Sequence, residues 1–312
     1  MRIVFFGTPQ FAVPTLEHLL ASSHQVVGVV TQPDRPRGRG QRVSDAPVKT
    51  AALAARLPVL QPARLTDPVA FETLRELRPD LGVVAAYGKL LPQAILDIPR
   101  LGMINVHASL LPRYRGAAPV HRAVLAGDSE TGVTIMRVIL ELDAGAMFAK
   151  ATRRIGHDET SEAVERDLAR IGGALLVTVA DQIVNGTARE EAQDAAHATY
   201  AAKLTREEGL IDWERPAMAI HNQVRGLCPW PHAFTFIEGA RVIVLGTRLG
   251  ALTSGERCGT VVATGPGGID IASGAGSVVT IEMLQPEGKR PMSARDFLAG
   301  RPLEPGTVLS CA

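Results

Sequence analysis

The chain has 312 residues with 33 Lys+Arg against 32 Asp+Glu, a net charge of +1, so overall charge makes no case for nucleic acid and any polyanion site must come from local clustering. That length is long for one hydrophobic core, and two domains are expected. Three widely spaced cysteines, Cys228, Cys258 and Cys311, form no CxxC pair, which argues against a disulfide framework and against a zinc site.

Residues 2–6 read as a buried first strand, continuous and rich in β-formers. Gly7-Thr8-Pro9 makes a turn, and residues 11–21 read as a helix. Residues 26–31 predict a second strand, which completes a βαβ unit and therefore a parallel sheet. A dinucleotide fingerprint fails here, because Gly7 stands alone with Pro9 and Phe11 where GxGxxG needs glycines. The apolar stretch after Met1-Arg2 is too short for a signal-peptide core. No apolar run approaches the roughly 18 to 20 residues that span a bilayer. A cytoplasmic chain without membrane contact is the expectation.

Residues 32–43, QPDRPRGRGQRV, carry two prolines, two glycines and no apolar periodicity, and read as a loop. Arg35, Arg37, Arg39 and Arg42 stand there against one acid, Asp34. Most such charge runs are solvated surface. The alternative is a basic finger on an RNA backbone, since arginine forks onto phosphates and stacks on bases. Helices follow over 48–56 and 69–77, with strands over 58–60 and 81–85. The last of these strands breaks at Tyr87-Gly88, where backbone can approach a ligand.

Residues 103–106 predict a strand that ends in polar residues, Asn105 and His107, two apart and therefore on one face. The pattern then breaks into Ser109-Leu110-Leu111-Pro112 and the basic run Arg113-Tyr114-Arg115-Gly116. An amide and an imidazole at a strand end suit the active edge of an open α/β sheet, where ligands sit beyond the carboxyl ends of the strands. A helix with an early proline follows over 119–126. Strands over 131–139 and 147–155 flank a turn that contains Asp143, and a long helix over 160–185 has Thr160 as its N-cap.

Residues 187–205 are polar, Ala-rich and weakly periodic, and read as a linker. From about residue 207 the pattern changes to a helix over 218–226, the run Cys228-Pro229-Trp230-Pro231, and five short β-rich segments at even spacing. Those segments predict a small barrel. Ten Lys+Arg and eleven Asp+Glu from Arg206 onward leave any basic face to be made by folding.

The run Asn105-x-His107-x-Ser109-Leu110-Leu111-Pro112, with Gly116 and Pro119 after it, resembles the signature of the 10-formyltetrahydrofolate-dependent formyltransferases. RIVFFGTPQFA, TQPDRPRGRG, VVAAYGKLLP, ETGVTIM and CPWP resemble that family in the same order. The likeness covers nearly the whole chain and is weakest around 250–280. It implies an α/β catalytic domain over 1–187 with an open, mostly parallel Rossmann-like sheet, a linker over 188–206 and an OB-like β-barrel over 207–312. It implies formylation of the α-amino group of initiator methionyl-tRNA, with 10-formyltetrahydrofolate as co-substrate and no metal. Asn105, His107 and Asp143 align with the family's catalytic residues. Tyr87 and Ser109 to Pro112 would border the folate, whose pterin needs apolar walls and backbone hydrogen bonds. Arg35, Arg37, Arg39 and Arg42 would meet the tRNA acceptor end. Ala146 departs from a common family form that has an acid there, while Asp143 and Gly145 remain. A cytoplasmic monomer is expected.

Formyl transfer to an amine needs a polarised carbonyl, a stabilised oxyanion and a route for one proton. Asn105 offers an N–H donor, His107 a donor or a proton, and Asp143 a carboxylate that orients the imidazole or a relaying water. Singly, each has an ordinary reading as a turn residue or a satisfied polar group; the combination with SLLP carries the argument. The rivals are formylation of a small amine, such as a glycinamide ribonucleotide or an amino sugar nucleotide, and a non-catalytic tRNA- or folate-binding module. The basic loop and the second domain speak against the first, and the intact polar set against the second.

Overall fold

A computed structural model describes residues 1–37, 42–251 and 253–310. The chain divides into two compact units. The first comprises Met1–Pro119, Glu130–Arg153 and Glu165–Ala201; the second comprises Val120–Ser129, Arg154–Val164 and Ala202–Ala312. In chain order the first stretch runs β1 (Arg2–Gly7), α1 (Val13–Leu20), β2 (Gln25–Val30), β3 (Arg35–Arg37), β4 (Arg42–Ser44), α2 (Pro47–Ala54), β5 (Val59–Leu60), α3 (Pro68–Glu76) and β6 (Leu81–Ala85). Then come α4 (Gln93–Leu96), β7 (Met103–His107), β8 (Arg115–Gly116), α5 (Pro119–Ala126), β9 (Glu130–Arg137), β10 (Met147–Arg154), α6 (Ser161–Val184) and β11 (Tyr200–Ala201).

The main sheet has the order β10-β9-β7-β6-β1-β2-β5. Neighbours from β5 to β7 pair in parallel, and β9 runs antiparallel to β7. The reason lies in the strands themselves. β1 is RIVFFG, with Ile3 and Phe5 fully buried and Val4 and Phe6 nearly so, which only a sheet covered on both faces permits. Each such side chain removed from water contributes about 1.5–3 kcal/mol. One side of the sheet packs Val4, Phe6, Leu74, Tyr87, Ile95 and Met103 into a cluster. On the other, α6 lies close: a Cβ on Gly172 would meet Val106 Cγ1 at 2.6 Å. Thr160 caps α6 as its sequence predicts, accepting from Ala163 N–H at 3.3 Å.

Two expectations need correction. The stretch read as a plain loop holds a two-stranded antiparallel hairpin, with Arg35 opposite Ser44 and Arg37 opposite Arg42. Its base is fixed by Asp34, which Lys49 and Gln61 both hold. Contacts so distant in sequence leave no local period to read. The stretch read as a linker is hydrogen-bonded into the first unit through residue 201. β11 pairs with β8 in parallel, Tyr200 opposite Arg115, and Glu191 bridges Met147.

The second unit contains α7 (Ala217–Gly226), β12 (Ala233–Ile237), β13 (Ala240–Leu249), β14 (Val261–Gly265), β15 (Gly268–Ser273), β16 (Ser277–Pro286), β17 (Met292–Ser293), α8 (Ala294–Gly300) and β18 (Leu309–Ser310). Its strands follow the order β14-β15-β16-β13-β12-β18, with β17 on β16. The two ends of that path meet: Val261 N–H donates to Thr307 O and Leu309 N–H to Gly259 O, each at 2.8 Å. An antiparallel sheet closed in this way is the OB-like barrel, and closure removes the open edges. Alternate residues of β12 point inward to a core with Trp213, whose indole N–H reaches Thr235 Oγ1 at 3.1 Å.

Candidate active site

The carboxyl ends of the parallel strands bring their polar residues together. Thr8 follows β1, Gln32 follows β2 and Tyr87 follows β6. Gln32 Nε2 donates to the Tyr87 carbonyl at 2.8 Å, and Thr8 Oγ1 accepts from Gln32 N–H at 3.3 Å. Next in the sheet, β7 carries Asn105 in register with Val84 and Met136, and ends at His107 opposite Thr134. Asn105 and His107 share the face turned away from Val106 and α6.

His107 is 5% exposed. Its Nε2 lies 2.9 Å from the Tyr114 carbonyl. A carbonyl only accepts, so Nε2 carries a proton and donates. A backbone carbonyl sets this tautomer. Tyr114 has a left-handed backbone, φ +61°, which turns its carbonyl toward the ring. Thr199 holds it there: Tyr114 N–H donates to Thr199 Oγ1 and Arg115 N–H to the Thr199 carbonyl, both at 2.8 Å.

Asp143 comes from the turn between β9 and β10, also left-handed at φ +49°. Its Oδ2 lies 3.6 Å from His107 Nδ1 and accepts from Gly116 N–H at 2.9 Å. The first distance is an ion-pair approach, longer than a direct hydrogen bond. Catalytic contacts are often this long until substrate arrives. Gly145 closes the turn against Arg137, whose carbonyl would lie 2.0 Å from any Cβ at that position.

The other expected site residues divide. Ser109 is fully buried, its hydroxyl donating to the Arg113 carbonyl at 2.6 Å. Leu111 packs with Met136 and Met147, and its N–H donates to Thr134 Oγ1 at 3.1 Å. Leu110 and Pro112 are half-buried on the same loop. The Tyr87 ring is 1% exposed and meets Phe6 edge-on. Burial pushes the phenol pKa up to about 12, and the hydroxyl has no hydrogen-bond partner among the described residues. Only its backbone is left to meet a ligand. Arg35, Arg37 and Arg42 lie on the β3–β4 hairpin, and Arg39 lies outside the described residues. Sequence reasoning missed the Tyr114 carbonyl, the Gly116 N–H and Thr199. Two of these are backbone groups, which no residue type announces.

One further cluster has metal-ligand chemistry: His157, Asp158 and His221, whose ligand atoms lie within 4.8 Å of one another. His221 Nε2 points at the His157 carbonyl at 3.1 Å and so carries a proton, which removes its lone pair from any metal. The cluster reads as a hydrogen-bond network.

Residues 1–180 match the formyl transferase family, and residues 203–302 match its C-terminal domain. The chain belongs to the formyl transferase family. Its relatives include proteins named methionyl-tRNA formyltransferase from Citrifermentans bemidjiense, 48% identical over 99% of this chain and 96% of the relative, and from Moorella thermoacetica, 47% identical over 100% of both. Family membership makes the chain an enzyme that transfers formyl groups. Solved structures agree on the fold. An N-formyltransferase from Helicobacter canadensis, solved with folinic acid and dTDP-3-aminofucose, superposes with a TM-score of 0.68 at 16% identity, over 89% of this chain and 98% of that one. HypX from Aquifex aeolicus, solved with tetrahydrofolic acid, gives 0.63 at 15% identity, over 99% of this chain and 50% of that one. No helix among the described residues is long and apolar enough to cross a membrane.

Proposed function

We propose that this enzyme transfers the formyl group of 10-formyltetrahydrofolate to the α-amino group of initiator methionyl-tRNA, as a cytoplasmic monomer, and that Asn105, His107 and Asp143 perform the chemistry. The observation that carries the site reading is the 3.6 Å approach of His107 Nδ1 to Asp143 Oδ2, at the end of the strand that also bears Asn105. Relatives of that name at 44–48% identity support the substrate.

The amine nitrogen attacks the formyl carbon, a C–N bond forms, and the carbonyl π pair moves onto oxygen. Asn105 donates an amide N–H to that oxygen, a kind of contact whose loss typically costs about 2.7–4 kcal/mol. The attacking nitrogen becomes cationic and must shed a proton. Asp143 accepts it, directly or through one water. Gly116 N–H keeps the carboxylate aimed while it does so. His107 shares the load. Its Nε2 proton is held on the Tyr114 carbonyl, so Nδ1 is the nitrogen that exchanges a proton beside Asp143. Protonated there, it adds positive charge next to the oxyanion. Collapse of the tetrahedral carbon expels N10 of the folate, which takes the proton and leaves as tetrahydrofolate.

The loop of Ser109, Leu110, Leu111 and Pro112, with the backbone at Tyr87, borders the folate. Arg35, Arg37 and Arg42 of the hairpin, together with Arg39, contact the acceptor end of the tRNA, and the barrel adds further RNA surface. The test is incubation with labelled 10-formyltetrahydrofolate and methionyl-tRNA, with uncharged tRNA and a small amino sugar nucleotide as controls. Label on the charged tRNA alone supports the proposal; label on the small amine in preference to the tRNA overturns it.

A further inference from the structure

The turn that presents Asp143 is fastened by a side chain from the segment the sequence marks as a linker. Gln193 is half-buried there, between α6 and β11. Its Nε2 donates to the carbonyls of Asp143 and Gly145, both at 2.8 Å. A primary amide has two N–H donors, and both are used on this one turn. Its Oε1 accepts from Arg115 Nε at 3.0 Å. Arg115 also reaches Glu141 Oε1, at the start of the same turn, with an N–O distance of 3.5 Å. The next residue, Gly116, supplies the N–H that holds the carboxylate itself. One amide therefore ties the backbone of the turn to the strand that aims its carboxylate.

The turn needs such a tie. A non-glycine residue in the left-handed region costs about 1–3 kcal/mol and persists only where its surroundings hold it. Asp143 is such a residue, at φ +49°. Relaxation of the turn would swing Oδ2 away from His107, and a misplacement of about 1 Å can cost on the order of 100-fold in rate.

We propose that Gln193 is a positioning residue for the reaction: by donating to both carbonyls it fixes the backbone that places the Asp143 carboxylate. This rests on the reading of Asp143 as the proton-accepting group. Gln193→Glu is the informative variant. It keeps the size and the acceptor for Arg115, but sets an acceptor against two carbonyl oxygens. Gln193→Ala removes all three bonds.

Both variants should lower kcat about 10- to 100-fold, the Glu variant at least as much as the Ala variant, with KM for both substrates within about threefold of the parent. Hydrogen–deuterium exchange across residues 141–147 should accelerate in both, with no substrate present. A Glu variant with the parent's kcat, or a rise in KM with kcat unchanged, overturns the proposal. So does unchanged exchange in both variants. If the parent enzyme fails to formylate methionyl-tRNA while exchange accelerates in the variants, the functional reading falls and the hold of Gln193 on the turn stands.

Discussion

The two units place their unusual backbone in different kinds of position. In the second, His232, at φ +66°, leads into β12, and Glu238 and Ala275, at φ +49° and +58°, sit in the hairpin turns β12–β13 and β15–β16, where such conformations do ordinary work. In the first, Arg56 and Arg78 follow helices, but Ala86, Tyr114 and Asp143 stand where the sheet's carboxyl ends collect polar groups. Tyr114 turns a carbonyl to His107, and Asp143 turns a carboxylate to the same ring. Left-handed residues in the barrel serve connection, whereas Tyr114 and Asp143 in the first unit aim polar groups at His107. The barrel closes on itself and leaves no open edge. The open sheet leaves the carboxyl ends of its parallel strands, β5, β2, β1, β6 and β7, along one side.

The sharpest way to break this contrast is a pair of substitutions. Asn105→Ala should lower kcat by about 100- to 1,000-fold, with little change in folate affinity or melting temperature. Ile271→Ala, at a fully buried barrel position, should cost about 2–5 kcal/mol of stability and leave kcat per folded molecule unchanged. Equal losses of turnover and folate affinity in the first variant would remove Asn105 from the transition state.

Gly145→Ala tests the aimed turn directly. Its Cβ would lie 2.0 Å from the Arg137 carbonyl, so the backbone must move. Turnover should fall by at least tenfold with the fold retained by circular dichroism; full activity would show that the turn tolerates displacement. Replacing Arg35, Arg37 and Arg39 with Ala should raise KM for tRNA several-fold. The log–log slope of tRNA affinity against salt should also flatten, by roughly 0.7–0.9 for each phosphate the protein no longer neutralises. An unchanged slope would take the hairpin out of RNA binding.

The smallest effect concerns pH. Burial holds the imidazoles of His121, His221 and His232 in the second unit below the ordinary value, and it does the same to His24 in the first. As pH falls below about 6.5, the unfolded chain binds protons at these sites that the native chain refuses. Stability is therefore present above that value and lost as pH falls through it toward the depressed native values. Each histidine contributes at most about 1.4 kcal/mol per pH unit. Denaturant unfolding at pH 7.5 and 5.5 should show the loss, and His221→Gln should reduce it. Equal slopes for both proteins would exclude His221 as a contributor.

Much of the fold was legible because its cues are local. β6 and α5 begin and end where the apolar pattern and the early proline put them, at Leu81–Ala85 and Pro119–Ala126. The evenly spaced runs after residue 233 form the barrel strands. The short α4 and the two-residue strands β8 and β11 were not legible, since such short elements show no period. Tyr87 illustrates the same limit in the site. Its sequence neighbour Gly88 marks a strand break, but nothing local says that the ring turns into the core against Phe6.

The sequence by itself determined the type of the longer helices and strands, the polar pair at the end of β7 and the acid in the β9–β10 turn, because side-chain period and turn chemistry act over a few residues. Tertiary structure alone decided the proton on His107 Nε2, the aim of Asp143 and the barrel's closure. Each depends on a backbone carbonyl or N–H meeting a group far away in the chain, and every residue but proline carries the same backbone groups, so no letter in the sequence distinguishes them.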